Sequence, residues 1–136
     1  MFSPHPLELS GLHRALSVKE AGALVCFEGR VRSTSPHGEV VSIDYEAYEE
    51  LSVREFERIE QETRAQFGIL DIRCVHRTGT VSSGEPAVWA GVLAIHRREA
   101  FQACEHIVNE LKARLPIWKK EIYADGNSRW IDYSQG

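Results

Sequence analysis

The chain has 136 residues, 43% of them hydrophobic and 26% charged, with a formal net charge of −4. That length suits a single domain over 1–136 with a core of its own. No apolar run nears the roughly 20 residues that span a bilayer, and the negative balance argues against broad nucleic-acid binding, which wants a basic face. The start, Met1-Phe2-Ser3-Pro4-His5-Pro6, lacks the basic and apolar stretches of a secretory signal, so a cytoplasmic location is expected.

Residues 7–17 carry Leu7, Leu9, Leu12 and Leu16 on a short helix interrupted by Gly11. Residues 21–32 alternate as a strand, with Ala23, Val25, Phe27, Gly29 and Val31 on one face and Leu24, Cys26, Glu28, Arg30 and Arg32 on the other. Gly29 inside a strand marks a bulge or the close approach of another backbone. Ser33 to Gly38 is a loop rich in Ser, Pro and Gly, expected to be mobile and placed to touch a ligand. Val40 to Ala47 alternates again, as a strand antiparallel to the first. Glu50 to Phe67 is the clearest helix, with Leu51, Phe56, Ile59 and Phe67 as its apolar stripe and Gly68 as its stop. Strands follow at 69–81 and 87–95, joined by a tight hairpin at Ser82-Ser83-Gly84-Glu85. The second of them is apolar on both faces and is expected to be central. Residues 98–115 form a helix with Phe101, Cys104, Ile107, Val108 and Leu111 inward, and 117–123 and 128–133 are strands. The pattern predicts an α+β fold, a two-layer antiparallel sheet packed with amphipathic helices. Cys26, Cys74 and Cys104 lie in apolar surroundings without a CxxC pair and read as buried, inert thiols.

Chemistry concentrates in Lys112-Ala113-Arg114-Leu115-Pro116-Ile117-Trp118-Lys119-Lys120-Glu121, four cations in ten residues of an acidic chain. Pro116 ends the helix near Leu115 and leaves Lys112 in its last turn, where a cation suits the helix dipole. Alternation sends Lys119 and Lys120 to opposite faces of the next strand, so one of them can share a pocket with Lys112. Two lysines at such a corner make an anion or nucleophile site, although lysines there also serve as solvated caps and edge guards. His96-Arg97 sits where a buried strand meets a helix N-terminus, a phosphate-binding position. Arg97 can fork onto an anion there or simply pair with Glu99. Arg30 and Arg32 form a salt-bridged face or complete an anion pocket. His76-Arg77 lies mid-strand and reads as structural. The histidines show neither HxH nor HExxH spacing, so no metal site is expected, and no GxSxG motif is present. The site predicted from the residues holds Arg32, His96, Arg97, Lys112 and Lys119. It suits a phosphorylated small molecule or a carboxylate tail, with lysine as nucleophile or acid/base.

Phe27-Glu28-Gly29-Arg30-Val31-Arg32, His76-Arg77-Thr78-Gly79 with Gly84-Glu85, His96-Arg97-Arg98-Glu99-Ala100-Phe101, the Lys112–Glu121 block and Ser128-Arg129-Trp130 form one ordered set. In that order and spacing they resemble the large, catalytic subunit of molybdopterin synthase over residues 20–132. The resemblance implies an α/β hammerhead-like fold and a sulfurtransferase of molybdenum cofactor biosynthesis. Such an enzyme converts cyclic pyranopterin monophosphate to molybdopterin, with sulfur from the thiocarboxylated Gly-Gly tail of a small ubiquitin-like subunit. It implies a homodimer within a heterotetramer, and no cofactor is expected. By position it implies Lys112 and Lys119 as the catalytic lysines and Arg32, His96 and Arg97 around the substrate's anion. Phe27 and Arg129 fall near the site. The Ser33–Gly38 segment departs from the Asn-rich one common in the family. The alternative is a non-enzymatic scaffold that holds the tail of a ubiquitin-like partner, for which one cation would suffice. RNA binding is disfavoured, since no aromatic pair lies on a basic strand face.

Overall fold

The computed structural model describes residues 1–135. Their elements are β1 (Phe2–Ser3), α1 (Leu9–Ala15), β2 (Ala23–Arg30), β3 (Thr34–Ser35), β4 (Gly38–Ala47), α2 (Glu49–Phe67), β5 (Asp71–Arg77), β6 (Gly79–Ser82), β7 (Pro86–Ala94), α3 (Arg97–Arg114), β8 (Ile117–Tyr123) and β9 (Ser128–Ile131). No helix among them is long and apolar enough to cross a membrane.

The strand without a polar face organises the molecule. β7 is buried from Ala87 to Ala94, and such a strand must be covered on both sides. It lies inside a sheet of order β1-β5-β7-β2, with β1–β5 parallel and the other pairs antiparallel. α3 packs on one face. On the other, Trp89 and Leu93 bury against Leu16, with Leu7, Leu9 and Leu12 alongside, which is why the short α1 holds its place.

The α+β class stands, but the strands pair differently from the sequence expectation. There are two curled sheets, the second of order β3-β4-β8-β9 with β6 also on β4. Residues 69–81 are not one strand. Gly79 takes φ +82, a conformation glycine reaches without strain. At that corner β5 stays in the first sheet while β6 crosses to the second, pairing Ser42↔Ser82 through Tyr45↔Gly79. The tight turn at 82–85 is present, closed by Glu85 N–H donating to Ser82 O at 3.1 Å. Its flanks do not pair with each other, since the antiparallel partners of β7 are β5 and β2. β2 therefore pairs with β7 and not with β4, with its irregularity at Gly29/Arg30, where the glycine announced a bulge. The Ser33–Gly38 segment closes as a short hairpin, Thr34↔Glu39 and Ser35↔Gly38.

Two apolar residues lie outside the stripes assigned to them. Leu51 is 54% exposed and Phe101 62%. α2 buries Ser52, Phe56, Ile59 and Thr63. α3 buries Ala100, Ala103, Cys104, Ile107 and Leu111, a run at helical spacing whose two alanines allow close approach to the sheet. Of the cysteines, Cys74 and Cys104 are buried but Cys26 is exposed, because β2 is an edge strand with one uncovered face. Arg114 ties the two long helices together, reaching Glu55 at 2.7 Å, Glu62 at 2.6 Å and Glu110 at 3.3 Å.

Candidate functional site

Pro116 forces the geometry of the site. α3 stops at Arg114, Leu115 swings out to ψ 135, and β8 begins at Ile117. Lys112 thus ends up in the last helical turn, its side chain half-buried. Along β8, Ile117, Lys119 and Tyr123 turn inward while Trp118 faces out. Lys120 takes the outer side, with Nζ 5.4 Å from the Trp130 ring centroid. Lys119 is 9% exposed.

Lys112 and Lys119 line one narrow cleft of about 80 Å³ together with Phe27, Arg30, Arg32, Tyr45, His76 and Glu121. Burial, and then the neighbouring Lys119, brings the Lys112 pKa down to about 8. Burial also lowers Lys119; Arg32 adds to the effect, while Glu121 and Asp132 oppose it. A lysine near 8 is partly free amine at mildly alkaline pH and can act as nucleophile or acid/base. Lys119 keeps a hydrogen bond to the Gln135 carbonyl at 2.9 Å, and Lys112 Nζ lies 4.4 Å from the Tyr133 ring centroid. Burial, with Glu121 second, pushes Tyr45 up to about 12, so it stays a phenol.

Among the lining residues, Tyr45 and His76 lie outside the site predicted from the sequence, which took His76 as structural. The His76 Nδ1 is 2.7 Å from the Arg77 carbonyl. A carbonyl only accepts, so Nδ1 carries the proton and Nε2 is the acceptor. Burial lowers its pKa to about 4. The available signal was its place in the His76-Arg77-Thr78-Gly79 motif, three residues before the glycine at which the strand turns. Arg77 is structural as expected, donating to Glu85 at 2.9 Å and to Thr80 O at 3.3 Å.

Of the other predicted residues, Phe27 and Arg32 line the cleft. Arg129 stands opposite Glu121 in the β8–β9 ladder, which puts it on the cleft side of the rim. His96 and Arg97 are not brought in. They begin α3, with His96 as an N-cap lacking a side-chain cap bond, and both are exposed. Lys112 lies about 22 Å further along the same helix at 1.5 Å per residue. Arg30 pairs with Glu28 at 2.8 Å. Among the described residues, no group of three or more His, Cys, Asp or Glu side chains could hold a metal ion.

Fold and site together define a small α+β protein with a narrow cleft in which two lysines meet. A family model described as MoaE protein matches residues 2–114, a range that includes Lys112 and stops short of Lys119. The molybdopterin synthase catalytic subunit of Pyrococcus abyssi is 41% identical over 117 residues, 86% of this chain and 78% of that one. That of Oryza sativa subsp. indica is 42% identical over 106 residues, 78% of this chain, which spans 55% of the rice protein's length. The X-ray crystal structure of molybdopterin synthase from Staphylococcus aureus matches the fold with a TM-score of 0.90 at 28% identity, covering 96% of this chain and 94% of that one. The chain belongs to the MoaE family of molybdopterin synthase catalytic subunits.

Proposed function

We propose that this chain is the sulfur-transferring subunit that converts cyclic pyranopterin monophosphate to molybdopterin. Its sulfur comes from the thiocarboxylated C-terminus of a small ubiquitin-like subunit. The observation that carries this reading is the meeting of Lys112 and Lys119 in one buried cleft. Relatives named as catalytic subunits support it, and the word subunit itself calls for a partner. Lys112, with its pKa near 8, does acid/base or covalent work beside the incoming thiocarboxylate. Lys119 stabilises negative charge as the cyclic phosphate opens or the sulfur adds. Arg32 takes the substrate's anion, Phe27 forms a wall of the cleft, and Arg129 guards its rim. In the homodimer we expect, His96 and Arg97 reach such a cleft only from a second copy of the chain. The reading places the protein in the cytoplasm and uses residues 1–136 as one domain.

The test is to incubate the chain with cyclic pyranopterin monophosphate and a thiocarboxylated ubiquitin-like partner, and to follow dithiolene product by mass spectrometry. Product that is lost in Lys112→Ala and Lys119→Ala, both still folded, is expected. Tight partner binding without product in the wild type would instead establish the scaffold reading.

A further inference from the structure

Both lysines are gripped by a short segment that none of the motifs contains. After β9 the chain turns at Asp132, whose carboxylate accepts from Ser134 N–H at 2.9 Å and Ser134 O–H at 2.8 Å. The turn lays Tyr133 inward, 5% exposed and within the main core. The Tyr133 ring lies 5.6 Å from the His76 ring. His76 is itself fixed by its bond to the Arg77 carbonyl and by an edge contact with Tyr45 at 5.0 Å. On this braced ring rests Lys112 Nζ, 4.4 Å from the centroid. The Tyr133 hydroxyl is buried and has no hydrogen-bond partner among the described residues. The ring, not the hydroxyl, therefore accounts for the placement.

We propose that Tyr133 is the positioning residue for Lys112: its ring face carries the Lys112 ammonium and sets where that nitrogen stands in the cleft. The inference rests on the reading of Lys112 as catalytic. The groups sharing the cleft with Lys112 are Lys119 and Glu121 from β8, His76 from β5, Tyr45 from β4, and Arg30 and Arg32 from the end of β2 and just after it. Lys119, Arg30 and Arg32 repel a cation. Burial keeps His76 neutral, Tyr45 stays a phenol, and Glu121, which accepts from the Tyr123 hydroxyl at 2.8 Å, acts on Lys119. Asp132 lines a second cavity with Lys112 and Tyr133, but its charge acts on Lys119; among the described residues, the π face of Tyr133 is the attraction found directly on the long, flexible Lys112.

Tyr133→Phe and Tyr133→Leu separate the ring from the hydroxyl and from simple filling of the core. Each full-length variant, with its partner, is assayed for kcat and KM. Lys112 is separately titrated by pH-dependent acetylation with an activated acetate ester, read by peptide mass spectrometry. Phe is expected to keep kcat and the Lys112 midpoint of the wild type. Leu is expected to lower kcat about tenfold with KM little changed, the signature of a lost positioning contact. Its Lys112 midpoint should fall by about half to one pH unit, as loss of a cation–π attraction requires. Assays run below the lowest melting temperature of the set, and Tyr133→Met replaces Leu if Leu does not fold. Equal kcat in Phe and Leu, or a midpoint that stays put or rises, overturns the proposal, since the ring then only excludes water. If the wild type yields no dithiolene product, the enzymatic reading fails, and the acetylation midpoint alone decides the role of Tyr133.

Discussion

Lys119 on β8 donates to the backbone carbonyl of Gln135 at 2.9 Å. Among the described residues that bond uses one of three ammonium donors and anchors the charge from one side, leaving two N–H groups for a ligand. A buried cation without full pairing is costly to the fold and valuable to chemistry.

Lys119→Met keeps the length of the side chain and removes the charge. Since replacing a buried charge by an apolar group is often neutral or stabilising, the melting temperature should hold or rise. Product formation should drop by about 10²–10³-fold, the usual cost of one lost transition-state donor. Lys119→Arg should not rescue, because a planar fork does not fit a point-charge position. A Met variant that melts early and loses activity only in proportion to its unfolded fraction would remove Lys119 from the chemistry.

The same variant reports on Lys112. Burial is the larger cause of its lowered pKa and Lys119 the second. Taking away the Lys119 cation makes the Lys112 ammonium easier to keep, so its acetylation midpoint should move up from about 8 towards the ordinary 10.5. Wild-type turnover should rise through about pH 8 as the amine form appears. A flat rate between pH 7 and 9, roughly one unit either side of that value, would mean that the amine form of Lys112 does no work in the rate-limiting step.

His76 gives the fold an acid limit. Its pKa falls from 6.5 to about 4 on burial, so between those values the unfolded chain binds the proton that the folded chain refuses. Stability must therefore fall as pH drops from 6.5 to 4 and level off below. The full span is about 3 kcal/mol at 1.36 kcal/mol per unit. Urea unfolding of His76→Phe across that window should show a shallower slope than the wild type. Parallel slopes would show that His76 does not set the acid limit.

The split between Lys119 and Lys120 was legible because strand alternation and a proline boundary are local facts. The sheets were not, because periodicity reports which face is buried and not which strand lies alongside. The pattern of 69–81 continues through Gly79, and nothing local says that β6 leaves for β4. Phe101 looked like a core residue until Ala100 and Ala103 took the inward positions, small side chains winning where the helix sits close. His96-Arg97 shares a motif set with Lys112, yet α3 holds the two apart at its opposite ends. Tyr133 carries no spacing that would mark it, and His76, though it opens one of the motifs, shows nothing there that aims it at the lysines; the turn at Asp132 and the corner at Gly79 bring them to the site.

Arg114 belongs to the same ten-residue block as the lysines, and the structure gives it a different task. Its guanidinium spans from α3 to Glu55 and Glu62 of α2, a fork that one planar group can make and a lysine cannot. Arg114→Ala should lower the melting temperature by about 4 °C, as expected for loss of a partly exposed ion-pair network in a domain of this size. High salt should shrink the gap between variant and wild type, since it screens the network in the wild type. Arg114→Lys should recover less than half of the loss. At a temperature where every protein is folded, product formation by both variants should stay within about threefold of the wild type, because Arg114 touches helix carboxylates and not the cleft. A hundredfold loss of turnover in a stable Arg114→Lys variant would instead make Arg114 part of the active site and extend the cleft around the end of α3.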